Sequence, residues 1–196
     1  MVYVDGLGAE LANNFLKEKH GFFMDRYEVT NKQFKEFVDK GGYVNHDYWK
    51  HTFIKDGATL AWDEAMAQFR DKSGRPGPAT WEAGYYPEGQ DNYPVSGVSW
   101  YEAAAYAEFA GKSLPTYYHW RSGAGFYISY IGWHIGSNIL PLSNFKGKGP
   151  EPVDKSFGLS CFGISGMAGN VKEWCYNNTE SDSRIILGGS YDDVSY

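Results

Sequence analysis

Helical periodicity in this chain stops at Gly125, and that break constrains the fold more than any other feature. Before it, apolar residues recur at three- and four-residue spacing behind N-terminal caps; after it, only short apolar pieces separated by Gly, Asn, Ser and Pro remain. Thr30 and Gln33 form a capping box ahead of Phe34, Phe37 and Val38, a run that ends at Gly41-Gly42, where a left-handed residue costs little. Ser99 and Glu102 form a second box ahead of Ala103, Ala104, Tyr106, Ala107, Phe109 and Ala110, with Gly111 at the stop. The alanines permit close approach of a neighbouring backbone. Thr116 is the N-cap of a short helix through His119 and Trp120 that Gly123 and Gly125 end. A weaker pattern carries Trp62, Ala65, Met66 and Phe69 and stops at the breaker-rich run 73–78, after which residues 74–94 form an ordered loop holding Trp81, Tyr85, Tyr86 and Tyr93. Beyond Gly125, the pieces Phe126 to Ile131 and Arg184 to Leu187 read as short strands. No repeat, low-complexity tract or linker divides the chain, so the expectation is a single domain over residues 1–196, of α+β class with much irregular structure.

The 196 residues are 42% hydrophobic and 21% charged, which suits one sizeable core rather than a disordered segment. The net charge of -6, without a basic patch, excludes the electrostatic footprint of a nucleic-acid binder. Residues 1–10 lack the charged and apolar regions of a signal peptide, and no run approaches the roughly 18 apolar residues of a membrane span. The expectation is a cytoplasmic chain with no membrane partner. Cys161 and Cys175 cannot build a disulfide framework, which leaves reduced buried thiols, a single bridge or a catalytic thiol. No neighbour points to a thiol of lowered pKa. Asn177-Asn178-Thr179 is a glycosylation sequon that matters only in a secretory context. Asp63, Glu64, Asp71, Glu82 and Glu88 show no fixed spacing of an acid/base pair and read as surface charge.

Four segments go beyond generic patterning: residues 23–31 (Phe-Met-Asp-Arg-Tyr-Glu-Val-Thr-Asn), 94–103 (Pro-Val-Ser-Gly-Val-Ser-Trp-Tyr-Glu-Ala), 169–174 (Gly-Asn-Val-Lys-Glu-Trp) and 188–191 (Gly-Gly-Ser-Tyr). Their order and spacing, with Lys112-Ser113-Leu114-Pro115-Thr116 between them, resemble the formylglycine-generating enzyme and sulfatase-modifying-factor superfamily, and the likeness runs from about Tyr3 to the last residue. It implies a C-type-lectin-like fold low in regular secondary structure. Within the superfamily the chain is most similar to bacterial domains fused to serine/threonine kinases or other signalling modules, although it carries no kinase motif of its own.

In the oxidases of that family, two cysteines shortly after the Gly-Gly-Ser segment bind copper, and soft thiolates are what Cu(I) requires. Here the segment is followed by Tyr191-Asp192-Asp193-Val194-Ser195-Tyr196, with Asp193 about where the first cysteine would stand. The sequence also ends before the family's Arg-containing closing segment. Copper and oxidase chemistry are therefore not expected, and no catalytic residue carries over; an oxidase seen only in part is the alternative. The iron-dependent branch of the superfamily uses a histidine-rich helical motif that His20, His46, His51, His119 and His134 do not form. A calcium site is implied at residues 166–173, with the carbonyls of Gly169 and Val171 and the side chain of Glu173 as donors. Gly166 departs from the pattern, since the family usually has Asp or Asn there. Asn144 and the carbonyl of Phe145 match part of a second site. Glu173 is equally readable as a carboxylate hydrogen-bonded in a tight loop.

The leading functional expectation is a non-catalytic module for a protein or small-molecule ligand. With 16 Tyr, 12 Phe and 7 Trp, not every ring can be buried, and tyrosines suit recognition surfaces. Tyr85, Tyr86, Tyr93, Tyr176 and Tyr191 are expected to border one concave surface rimmed by the loop 74–94, with Asp192 and Asp193 either extending it or serving as solvated turn residues.

Overall fold

The computed structural model describes residues 1–5, 21–125, 139–145, 147–179 and 183–193. The chain packs as two compact units, one continuous (Val29–Leu114) and one assembled from Met1–Glu28 with Pro115–Tyr196. Both mix helices with small sheets, and each sheet among the described residues is a two-stranded antiparallel pair.

In the continuous unit, helix α1 (Asn31–Asp39) starts at the expected capping box. Thr30 Oγ1 accepts from the Gln33 N–H at 3.2 Å, and Gln33 Oε1 accepts from the Thr30 N–H at 2.9 Å. The tight turn Asp56-Gly57, both residues with positive φ, joins strands β3 (Ile54–Lys55) and β4 (Ala58–Thr59). Helix α2 (Trp62–Met66) is only five residues long, because Ala61 has no side chain to cap it and only Glu64 reaches back to the Ala61 N–H, at 2.9 Å. Helix α3 (Trp100–Phe109) carries the second complete box, Ser99 with Glu102, and buries Ala104, Ala105 and Ala107. Glu102 has a second role, accepting from the Tyr43 hydroxyl at 2.6 Å inside the core.

The core of this unit is a stack of rings: Phe34, Phe37, Tyr43, Phe53, Phe69 and Trp81 are buried around Ala65, Met66 and Ala105. Each ring of this kind contributes roughly 1.5–3 kcal/mol by leaving water. The loop 74–94 is ordered for two reasons. Trp81, 1% exposed, donates its indole N–H to Asn31 Oδ1 at 3.0 Å. Asp71, read from the sequence as surface charge, is instead buried and gathers the loop, accepting from the Ser73 N–H and Oγ, the Arg75 N–H and the Gly84 N–H at 2.6–2.9 Å. A carboxylate with four donors aimed at it can be buried without a cation, which is why spacing alone misjudged it.

In the discontinuous unit, β1 (Val2–Val4) pairs with β2 (Phe22–Met24), Tyr3 opposite Phe23. Helix α4 (Tyr117–Ala124) is capped twice: Thr116 Oγ1 accepts from the His119 N–H at 3.1 Å and Asn177 Oδ1 from the Tyr117 N–H at 2.7 Å. Gly125, at φ 83°, ends it as expected. Strand β5 (Glu173–Asn178) pairs with β6 (Arg184–Leu187), the latter an expected strand. The expected strand piece 126–131 lies outside the described residues. Val4, Trp120, Ala124, Ile164, Met167 and Cys175 form the core. No helix among the described residues is long and apolar enough to cross a membrane.

Candidate functional site

The expected loop 166–173 leads into β5 and is built around Asn170, a residue the sequence reading passed over. Asn170 is 1% exposed and sits at φ 72°, a left-handed conformation that Asn tolerates better than most residues. Its Nδ2 donates to Glu28 Oε1 at 3.1 Å, Glu28 Oε2 at 3.3 Å and the Glu151 carbonyl at 3.2 Å. Its Oδ1 accepts from Asn144 Nδ2 at 3.1 Å and the Glu151 N–H at 2.8 Å. The backbone is used as fully, with Asn170 N–H donating to the Asn144 carbonyl at 3.0 Å and the Tyr191 N–H to the Asn170 carbonyl at 2.9 Å. One carboxamide thus joins four chain segments. Gly169 has to be glycine, because a Cβ there would lie 2.6 Å from the Asn144 carbonyl oxygen.

The segment after β2 is laid against this loop by the Ser165 N–H, which donates to the Arg26 carbonyl at 2.8 Å. It brings in Glu28, only 7% exposed. Burial pushes the Glu28 carboxyl up to about 8 and the nearby Glu173 charge adds to the effect, while hydrogen bonds from Asn170 and the Val171 N–H pull the other way. Burial likewise raises Glu173 to about 7, against the hydrogen bond its Oε2 accepts from the Trp120 indole N–H. The ring that serves Glu173 therefore comes from α4. No ion pair among the described residues involves either carboxyl. A buried carboxyl and a half-buried one close enough to interact can take up a proton or hold a hard cation. No third His, Cys, Asp or Glu among the described residues joins them in a metal-binding group.

Asn144 uses its Nδ2 on Asn170 and on the Gly149 carbonyl at 3.0 Å, and the Phe145 ring lies where a Cβ on Gly189 would meet it at 2.6 Å. Of the five tyrosines, Tyr85, Tyr86 and Tyr93 belong to the continuous unit, where they do not present alike. Tyr85 is exposed under the Lys35 ammonium, 4.3 Å from its ring centre. Tyr86 turns in against Trp81, with ring centres 5.3 Å apart, and its hydroxyl donates to Asp91 at 3.2 Å. Tyr93 is half-buried, and its carbonyl accepts from the Asn31 N–H at 2.8 Å. In the discontinuous unit Tyr176 is exposed on β5, while Tyr191 is half-buried and tied by its backbone to Asn170 and Gly147. Each described histidine lies against a ring: His46 on Trp62, His51 on Trp100 and His119 on Phe22. His20 and His134 lie outside the described residues.

The model of the sulfatase-modifying factor enzyme 1-like domain family matches residues 13–195 of this chain. The chain belongs to that family. The sulfatase-modifying-factor chain is similar to the serine/threonine-protein kinase pkn1 of Chlamydia caviae, 31% identical over 158 residues that make up 80% of this chain and 22% of the kinase. It is similar to the formylglycine-generating enzyme of Thermomonospora curvata, 31% identical over 184 residues, 79% of this chain and 59% of that enzyme. The hercynine oxygenase of Mycolicibacterium smegmatis is 29% identical over 208 residues, 87% of this chain and 46% of the oxygenase. The sulfatase-modifying-factor chain thus spans between about a fifth and three fifths of the length of these relatives.

In this sulfatase-modifying-factor chain the turn after Gly188-Gly189 is held by its own side chains. Asp193 Oδ2 accepts from the Ser190 N–H at 3.0 Å and pairs with Lys172 Nζ at 3.0 Å, and Asp192 accepts from Ser190 Oγ. The Lys172 hydrogen bond, with that of the Ser190 N–H, holds the Asp193 carboxyl below the usual carboxylate range. Both cysteines are free thiols, Cys161 exposed and Cys175 buried. Burial and the Glu173 charge push the Cys175 thiol up to about 12, and partial burial raises Cys161 as well.

Proposed function

We propose that this sulfatase-modifying-factor domain, on a C-type-lectin-like fold, is a non-catalytic module that binds a protein or small-molecule ligand within a larger bacterial signalling protein. The observation that carries the reading is Asp193. Where the family's oxidases place a copper-binding thiolate, this chain has a carboxylate already engaged by Lys172 and Ser190, and hard oxygen does not substitute for soft sulfur at Cu(I). A Cys175 thiol raised to about 12 stays protonated at neutral pH and offers no replacement thiolate. The setting beside a kinase is supported by the pkn1 relatives, of which the chain matches 22%.

The same reading gives the loop 166–173 a calcium ion, held by the carbonyls of Gly169 and Val171 and the Glu173 side chain, with Asn144 and the Phe145 carbonyl assigned to a second site. The support is the chemistry of the donors, all hard oxygens, with the buried Glu28 and the half-buried Glu173 lacking an ion-pair partner among the described residues. A second reading, a formylglycine-generating oxidase seen in part, is favoured by relatives of that name at 31% and 32% identity. The test is incubation with copper, oxygen and a cysteine-containing sulfatase-type peptide, followed by mass spectrometry. The peptide cysteine is expected to stay unconverted; aldehyde formation that Cys161→Ser or Cys175→Ser abolishes would replace the binding-module reading with the enzyme.

A further inference from the structure

We propose that the outer face of the β1–β2 pair docks an extended basic segment of a protein partner, one in which a cation stands two residues from an apolar side chain; this deepens the binding-module reading above by giving it a partner class. Strand alternation divides the pair into two faces. Val2, Val4, Phe22 and Met24 turn inward, onto the core that holds Trp120 and Ile164. Tyr3 and Phe23, directly opposite each other, turn outward, where an antiparallel sheet with one solvated face ordinarily carries polar residues. They are 56% and 68% exposed, with their ring centres 5.4 Å apart. Tyr3 is also held in place. A Cβ on Gly21 would lie 2.2 Å from the Tyr3 hydroxyl oxygen, so the ring fills the space that a side chain at 21 would take. The face is thus a preformed pair of aromatic anchors, the residue type on which protein interfaces concentrate their binding energy.

Its charge and its edges decide what it fits. Alternation carries Asp5 on from Tyr3, and Asp25 on from Phe23, to the same outer side. Because the strands are antiparallel, these carboxylates stand at opposite ends of the aromatic pair, each about 7 Å along its strand from its ring. Asp5 makes no ion pair among the described residues, and the next cation along the second segment, Arg26, lies over the Tyr27 ring, 5.3 Å from its centre. A cation is attracted by an aromatic face and by a carboxylate alike, whereas an acidic segment is repelled here. The sheet has two strands, and among the described residues no other segment makes a backbone hydrogen bond to residues 1–5 or 21–24. Such edges accept an added strand, whose side chains recur at the same two-residue period as the ring and the carboxylate on each strand. An apolar residue across from the ring then places a cation across from the acid.

The probe is a fluorescein-labelled peptide of repeated Lys-Thr-Leu-Thr units, titrated by anisotropy with the whole chain; the control has Glu for Lys. The Lys peptide should bind, more weakly at about 500 mM salt than at about 50 mM, and the Glu peptide at least about tenfold less tightly. Phe23→Thr and Tyr3→Thr, which keep strand propensity, should each weaken binding at least about fivefold, and Asp5→Lys at least about tenfold. Equal binding of the two peptides, or a Kd unchanged by Phe23→Thr, would overturn the proposal. Should a threonine variant unfold, Asp5→Asn decides, and a Kd equal to that of the wild type overturns it. If neither peptide binds at up to about 1 mM, this face falls, while the non-catalytic reading stands or falls separately on the peptide cysteine staying unconverted. A chain that dimerises on a sizing column and that Phe23→Thr makes monomeric has a second copy on this face, which also overturns the proposal.

Discussion

Glu28→Gln should flatten the pH dependence of stability of the calcium-free protein. Glu28 has a carboxyl raised from 4.5 to about 8 in the fold, and at about 1.36 kcal/mol per pH unit its ionised form is disfavoured there by up to about 5 kcal/mol. Because the Glu173 charge is part of what raises Glu28, the costs of the two are not independent, and the larger bounds the effect. The sign follows from a folded-state value above the unfolded one. The stabilisation is complete below about pH 4.5 and is lost as pH rises through about 7 to 8, where the fold must take in a charge that the unfolded chain already carries. Of the other groups packed on the pair, Asn170 and Trp120 do not titrate in this range and Cys175 stays neutral up to about 12. Urea unfolding in EGTA, followed by tryptophan fluorescence from pH 5 to pH 9, should show the wild type losing about 2–5 kcal/mol. Glu28→Gln, the same shape without the charge, should lose less, keeping the part contributed by Glu173, which burial raises to about 7. Titrations common to both proteins cancel in the difference, so parallel curves for the two would refute the account of Glu28 as a buried, destabilising charge.

Asp71→Ala should cost about 2–4 kcal/mol by urea unfolding, because it leaves the Ser73, Arg75 and Gly84 N–H groups without their acceptor. Burial raises the Asp71 carboxyl but its hydrogen bonds win and hold it below 3.8, so its stabilisation is present above that pH and lost as pH falls further; an acid limb identical in wild type and variant would contradict this. Ellman's reagent should find one fast thiol in the folded protein, removed by Cys161→Ser, and a second only on unfolding, since Cys175 is buried and raised to about 12; rapid reaction of both in the folded state would show the β5 packing to be wrong.

What was legible in the sequence is what is decided within a few residues. The boxes at Thr30 and Ser99, the cap at Thr116 and the left-handed stops at Gly111 and Gly125 all depend on neighbours three or four positions away, and all are present. Strands β1 and β2 escaped notice, since three residues are too few to show alternation. The site was legible only as a loop. Glu28 and Asn170 meet across 142 positions, and no spacing rule connects residues that far apart. One signal is nonetheless on view: an Asn following a glycine at 169–170, suited to a left-handed turn. Asp71 departs in the opposite direction: its charge suggests exposure, while the donors that let it be buried lie as far as 13 residues along the chain, at Gly84.

The interruption of one unit by the other sets an order of assembly during synthesis. Once Leu114 has left the ribosome, every residue of the continuous unit has been made, including both capping boxes and the ring core. At that moment β1, β2 and Glu28 have existed for longer still, yet Asn170 and β5 have not been translated. Strands β1 and β2, with Tyr3 and Phe23 exposed, have only each other to pair with while the roughly 56 residues from Leu114 to Asn170 emerge at roughly 5–20 per second. The nascent chain therefore passes through several seconds in which one unit is complete and the carboxylate of the other has no pocket to enter.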